Sequence, residues 1–508
     1  MTQVLRETMI FNPTTVLKHS LKLSYLGLIC ALTACGGSQE AESNAFNDGS
    51  LASSSTYKDL CALPRHGINP YNGNLSYPDR QGSLDDEKNW VRSWVDETYL
   101  WYREVPNNLN PNNYANAVDY FADLKTSSIT PSGTTKDHFH FTENTEEANK
   151  QSQSGIVLGY GMAFSFITNQ PPRKLIVAYT EPNSPAALAG IQRGMEIESV
   201  DDVDLTNSNN VVALNSGLFP TIANQSHTFI FKNSNGQRIS KVLTAANIQT
   251  TPVQNVTSFS TSTGKVGYLT FNSHNAIAEK QLIDAVDKLK NEGVSDLILD
   301  LRYNGGGALY IAGELSYMIA GAAKTQGKTF FKLKYNDKTP VDPNNTWTFP
   351  QNSTISSAFL PRPLPTLNLK QVTILAGSGT CSASEAIING LQGVDVKVNL
   401  IGGQTCGKPY GFTPQDNCGT TYYAVQFQGE NHKGFGDYAD GFAPTCKVSE
   451  DFKSPLGDQN ERLITAALNY RSTGQCPAYG QAMGQSQAES KPLRPAIREI
   501  MTLEKAKR

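Results

Sequence analysis

Several things are scarce in this 508-residue chain, and each scarcity excludes something. Neither sign of charge dominates: 43 Lys and Arg face 46 Asp and Glu, a formal net of −3. Binding a phosphate backbone needs a basic surplus, so nucleic acid is not an expected partner. Long apolar runs are missing. The most membrane-like stretch, Ser24 to Ala34, has 11 residues, where a spanning helix needs about 20. Cys-x-x-Cys pairs and Cys/His clusters at zinc spacing are absent, and the seven histidines are scattered. No zinc site is therefore expected. His138 and His140 form the one close pair, and alternation puts them on one strand face, where a solvated strand or loop is favoured over a metal site. What is present suits folded, multidomain protein: 39% apolar and 18% charged residues allow sizeable cores, and the length suits about three to four domains.

The first 34 residues read as an export signal. Lys18 and Lys22 precede the short apolar run, which ends Leu32-Thr33-Ala34-Cys35-Gly36. That ending resembles the bacterial lipobox, in which the cysteine is acylated and becomes the new N-terminus. The resemblance implies a lipoprotein held on a membrane through Cys35, on the cell envelope, at the outer membrane or its periplasmic face. Residues 35–60 then form a polar tether with few large apolar groups. With Cys30 removed and Cys35 lipidated, six cysteines remain: Cys61, Cys381, Cys406, Cys418, Cys446 and Cys476. An even set after an export signal points to disulfides, with the pairing open.

Three regions follow. Residues 61–150 predict a small helical domain, because Asp85-Asp86-Glu87 form an acidic first turn and Trp90, Trp94, Tyr99 and Trp101 recur at roughly helical spacing. Over 151–245 the texture changes to strands and turns. Gly159-Tyr160-Gly161 leads into an alternating segment, Leu175–Tyr179 is a strand, and Ser184–Ile191 is a short helix closed by Gly190. This order resembles a PDZ domain of the bacterial protease type, with Gly194-Met195 where such domains carry Gly-Asp. The resemblance implies that Gly161, Met162 and Ala163 receive the carboxylate of a peptide added as an extra strand.

Residues 246–480 carry the chemistry, and 481–508 read as a polar tail, loosely ordered or a short surface helix. The buried-strand run Leu297–Leu301 opens into Arg302-Tyr303-Asn304-Gly305-Gly306-Gly307, whose glycines free backbone N–H groups to face a bound atom. A second strand, Val372–Ala376, leads through a turn to Ser382-Ala383-Ser384-Glu385 and an apolar helix. Ser-x-x-Glu is a capping box, so Ser382 could be only a helix cap. The same position sets a hydroxyl beside exposed N–H groups and the positive end of a helix, which suits a nucleophile. No histidine lies in these motifs to serve as base. Lys408 arrives 26 residues after Ser382, past a helix and the strand Val396–Ile401. To accept a proton its pKa must fall from about 10.4 toward about 7–8, which desolvation by Pro409, Tyr410 and Phe412 could supply.

In order after a PDZ-like segment, these motifs resemble the C-terminal-processing (tail-specific) serine peptidase family over roughly 155–475. The resemblance implies a multidomain α/β and α+β protein: a crotonase-like α/β peptidase core, an inserted PDZ-like domain and the small helical N-terminal domain. It implies Ser382 as nucleophile, Lys408 as general base, and the N–H groups of Gly306 and Ala383 as the oxyanion hole. Substrates would be proteins with unstructured C-terminal tails, cut through an acyl-enzyme without a cofactor. The family spacing from serine to lysine is usually 25, so one extra residue must be absorbed, with Val394–Asn399 the stretch to do it. Many members place a glutamine four residues after the lysine; here that residue is Phe412, and Gln415 is the possible substitute. Cysteines flank the pair, which makes Cys381–Cys406 a candidate disulfide, with Cys406–Cys418 equally open. The competing class is an inactive peptide- or ligand-binding envelope lipoprotein on the same fold, and a third is a PDZ scaffold.

Overall fold

The computed structural model describes residues 51–478, apart from 74, 341 and 355–361, together with the backbone of 500–502. The export signal and Cys35 lie outside the described residues. No helix among the described residues is long and apolar enough to cross a membrane.

Helix α1 (Leu84–Thr98) starts where the acidic turn predicts it, with Ser83 and Asp86 closing a capping box. Trp90 and Trp94 stack on its inner face with ring centroids 5.5 Å apart. They pack with Tyr120 and Phe121 of α2 (Ala117–Asp123). This core is not confined to the N-terminal region. It runs on into Tyr410, Phe412, Tyr422 and Tyr423, and the Cys61–Cys418 disulfide ties the two stretches covalently. The tether expectation also ends early: Ser54 opens a helical turn and gives its N–H and hydroxyl to Glu97, at 2.8 and 2.5 Å.

The second region is a twisted antiparallel sheet. Strands β1 (Met162–Thr168), β2 (Lys174–Thr180), β3 (Glu196–Val200), β4 (Ser226–Lys232) and β5 (Arg238–Thr244) take the order β5-β4-β3-β2-β1. Strand β1 is therefore an edge. The short helix 185–188 and Gly190 lie as expected. Its boundaries fall slightly outside those read from the sequence. Helix α3 (Thr145–Ser154) crosses the first, and Ala246–Gln249 pairs back with Ile156–Gly159 at the second.

The third region is built on a six-stranded sheet. Strands β6 (Val253–Thr261) and β7 (Gly264–Phe271) are antiparallel neighbours. Strands β8 (Asp296–Asp300), β10 (Gln371–Ala376), β11 (Lys397–Gly402) and β13 (Cys446–Lys447) continue from β7 in parallel. Helix α4 (Ala278–Asn291) connects β7 to β8, and α6 (Ala383–Gly393) connects β10 to β11. Such crossovers put helices over a sheet whose central strands are largely buried, as the run Leu297–Leu301 reads in the sequence. Between them the short strand β9 (Gly306–Ala308) enters α5 (Leu309–Ala320), and β12 (Tyr410–Gly411) follows β11. Helix α7 (Arg462–Thr473) closes the other face over Ile298, Leu375 and Ile401. The last described piece, β14 (Ile500–Thr502), is a strand and not the loose tail or helix expected. Its backbone finds partners in β9, a tertiary opportunity that a polar sequence does not advertise.

Candidate active site

Strand β10 delivers its carboxyl end to the turn Gly377–Cys381, and that turn is stitched to the end of β8. Thr380 donates its hydroxyl to Leu301 O (2.9 Å), and Cys381 N–H and the Ser384 hydroxyl both donate to Asn304 O (3.1 and 2.9 Å). Ser382 sits at the top of this turn with φ 61° and ψ −113°, a left-handed backbone that costs a non-glycine residue about 1–3 kcal/mol. Its hydroxyl is fully buried without a hydrogen-bond partner. The capping half of the Ser-x-x-Glu reading is carried by the backbone: Ser382 N–H donates to Glu385 Oε2 at 3.0 Å. Ala383 is the first helical residue, so its N–H has no acceptor within the helix.

Glu385 does more than cap. Its Oε2 also accepts Lys408 N–H (2.8 Å), and its Oε1 accepts Gly407 N–H (2.9 Å) and the Thr405 hydroxyl (2.6 Å). One buried carboxylate thus gathers the backbone of Ser382 and of Lys408. Burial pushes this carboxyl up to about 7, and the donors from Thr405, Lys408, Gly407 and Ser382 pull the other way. A disulfide joins Cys381 to Cys406, with Cα atoms 5.2 Å apart, and Cys446 pairs with Cys476. Cys406–Cys418 is excluded because Cys418 holds Cys61. Cys381, Glu385 and Cys406 are near enough to share a metal ion, but both sulfurs are spent in the disulfide.

Lys408 is fully buried. Its Nζ lies over the Phe412 ring at 4.0 Å and over the Phe139 ring at 4.6 Å. Phe412 therefore supplies the expected apolar wall. Gln415 is no substitute for the missing glutamine: its amide donates to the adjacent Asp416 O (3.4 Å), on the strand Gln415–Asn417.

The glycine turn is held from below. Asn304 Oδ1 accepts Gly306 N–H (3.0 Å) and His274 Nδ1–H (3.0 Å), and Asn304 Nδ2 donates to Phe271 O (2.8 Å). Burial drives the His274 imidazole down to about 4, against the pull of Asn304 and Gly306, so the ring is neutral near pH 7. Gly307 must be glycine: φ is 133°, and a Cβ would come within 2.6 Å of His274 O. The Gly306 N–H expected in an oxyanion hole is thus already engaged within its own turn.

Two residues before Asn304, Arg302 is buried among Asp300, Glu450 and Glu461, each reached at 2.9 Å. Glu450 also accepts from the Tyr303 hydroxyl and from Arg193, which belongs to the second region. Burial alone would raise Glu450, but Arg302 and Arg193 outweigh it and hold the carboxyl below its usual range.

The other candidate residues lie elsewhere. Gly161 (φ 77°) packs against Ser184, and Met162 and Ala163 open the edge strand β1 opposite Thr180 and Tyr179. The His138–His140 pair is not a strand face. His138 is exposed and bonds Thr135 O (3.0 Å), whereas His140 is buried, stacks on Phe121 and bonds Phe121 O (2.9 Å). Sequence reading missed Glu385 as a hub, Asn304 as the support of the glycine turn, and Phe139 as a wall of Lys408. The Glu385 signal was present in the capping box; Phe139 comes from a distant segment and left none.

Residues 265–425 match the family model described as Peptidase family S41, and residues 86–139 match that of the Peptidase S41 N-terminal domain. A Bacteroides fragilis protein assigned to the S41 proteases has a similar fold, with a TM-score of 0.59 and 24% identity over 78% of this chain and 98% of that one. Together these describe a mixed α/β fold in which residues 265–425 and 86–139 are similar to the two parts of Peptidase family S41. Among curated relatives, a carboxyl-terminal-processing protease of Picosynechococcus is 27% identical over 51% of this chain and 56% of its own length. The chloroplastic carboxyl-terminal-processing peptidase 1 of Arabidopsis thaliana is 27% identical over 44% of this chain and 42% of its own. The chain spans about half the length of these relatives.

Proposed function

We propose that this chain is a serine endopeptidase that cuts proteins with unstructured C-terminal tails. Ser382 Oγ attacks the peptide carbonyl carbon while its proton passes to Lys408 Nζ. The C–N bond breaks, the amine leaves with that proton, and water hydrolyses the acyl-enzyme and restores Ser382. The observation that carries this reading is the single carboxylate, Glu385, that binds the backbones of both residues and leaves the Ser382 hydroxyl without a partner. Lys408 is fully buried beside the Phe412 and Phe139 rings, the apolar surroundings such a base needs.

Ala383 N–H is available to a developing oxyanion at the helix start. Gly306 N–H joins it only after leaving Asn304, so the competent site requires the glycine turn to reorganise. The edge strand β1 and the Gly161 turn suit a peptide added as a strand, and the Arg193–Glu450–Tyr303 contacts give the second region a path to that turn. On this reading a bound tail gates the oxyanion hole. Cleavage of an unfolded test protein, measured beside Ser382→Ala and Lys408→Ala, tests the dyad. Each variant is expected to lose about a thousandfold in kcat with its fold intact by circular dichroism. The engaged Gly306 N–H favours a second reading, an inactive peptide receptor, and this is the conclusion if Ser382 resists serine-reactive probes and no form cleaves.

A further inference from the structure

The backbone of the glycine turn has two sides, and both are occupied. On one side His274 takes Gly306 O (N–H to O, 3.1 Å) and supplies its own carbonyl to Ala308 N–H (2.8 Å). On the other, β14 runs parallel to β9, with Ile500 opposite Gly306, Met501 opposite Gly307 and Thr502 opposite Ala308. The same three residues lie beside β12, the Tyr410–Gly411 strand that follows Lys408. The C-terminal segment therefore lies between the turn that bears Gly306 and the strand two residues beyond Lys408. An extended polypeptide presented to Ser382 could use this same ground, because Gly306–Ala308 also lies against the helix that Ser382 opens. A segment held by main-chain pairing needs no particular side chains, which agrees with the polar, unremarkable sequence of 481–508. The state of the turn points the same way. While β14 is paired, Gly306 N–H is bonded to Asn304 and not turned outward, so the tail is seated without the donor that cleavage requires.

We propose that the edge of Gly306–Ala308 is a strand-addition surface whose resident partner is the chain's own C-terminal segment. Held there uncut, the segment excludes other polypeptides until it is displaced. The idea rests on the peptidase reading for its consequence, but the pairing itself is independent of catalysis. The segment also belongs to the chemical class of the proposed substrate: a polar C-terminal tail, here tethered and so present at high effective concentration.

The test uses the full chain in the Ser382→Ala background, where no cutting can confuse the result. The triple variant Ile500→Pro, Met501→Pro, Thr502→Pro removes every N–H that β14 could donate. Backbone hydrogen exchange at Gly307, the one amide of the three not held by Asn304 or His274, is expected to quicken at least tenfold in the variant, and a synthetic peptide of residues 493–508 is expected to restore protection. In the Ser382 form, labelling by a serine-reactive probe should be several-fold faster in the triple variant. Unchanged exchange at Gly307 would overturn the proposal. So would an intact mass showing that the Ser382 form has lost the residues beyond 500 while Ser382→Ala keeps them, since the tail would then be a substrate and not a standing occupant. If exchange changes as expected but no form cleaves or labels, the pairing stands and the peptidase reading fails.

Discussion

At the residue scale the site turns on Glu385. Four donors converge on one buried carboxylate, and two of them are the backbone N–H groups of the proposed nucleophile and base. Burial raises its pKa from 4.5 to about 7. The sign follows directly: the folded state holds the proton more tightly than the unfolded chain, so this group's contribution to stability is complete below pH 4.5 and is lost as pH rises toward 7. Activity runs the other way. Below pH 7 the added proton displaces a donor, and above it all four are accepted. The rate is therefore expected to show an acidic limb near pH 7. Glu385→Gln, whose amide would face donors with donors, is expected to lose roughly 100-fold in kcat by misplacement and to lose that limb. A variant with an unchanged pH–rate profile would show that Glu385 only caps the helix.

At the scale of elements, the parallel strands do the assembling. Strands β8 and β10 are neighbours, so the Asn304 turn and the Ser382 turn emerge side by side at their carboxyl ends; β11, next to β10, returns the chain to Lys408. The Cys381–Cys406 disulfide clamps the last two of these turns. Its sequence separation of 25 is close to the 30 of Cys446–Cys476, so loop closure alone gives both about 3 kcal/mol. Removing either pair by double Cys→Ala substitution is expected to lower unfolding stability similarly. Only the Cys381/Cys406 pair should also depress kcat. Equal turnover in the two double variants would mean the clamp is structural alone. Arg302 is a second tie between elements, linking the end of β8 to Glu450 and to Glu461 at the start of α7.

At the scale of the whole molecule, the regions are less separate than their textures suggest. Aromatics from α1 and α2 share one core with Phe139 and Phe412, so the N-terminal helices back the two rings that wall the lysine. Arg193 ties the second region to Glu450 of the third. On the lipoprotein proposal, Cys35→Ala is expected to move the protein from the membrane fraction to the soluble one and to abolish incorporation of a fatty-acyl label. Equal partitioning of both forms would end that proposal.

Much was legible in the chain itself, because the signals were local. The strand-then-helix units around Asp300 and Ser382 follow from apolar runs and glycine turns, α1 follows from its acidic first turn, and the return of Lys408 toward the Ser382 turn follows from the helix-then-strand path between them. Other features were beyond any local signal. The six cysteines admit many pairings, and only the neighbouring positions of β10 and β11 bring Cys381 to Cys406. Phe139 and Lys408 are 269 residues apart and meet only through a shared core. The left-handed backbone of Ser382 is imposed by the Asn304 contacts on either side of it. The strand at Ile500–Thr502 exists because β9 offers an edge. Periodicity and motif spacing are written along one dimension, whereas pairing, burial and strain depend on which distant segments the fold makes neighbours.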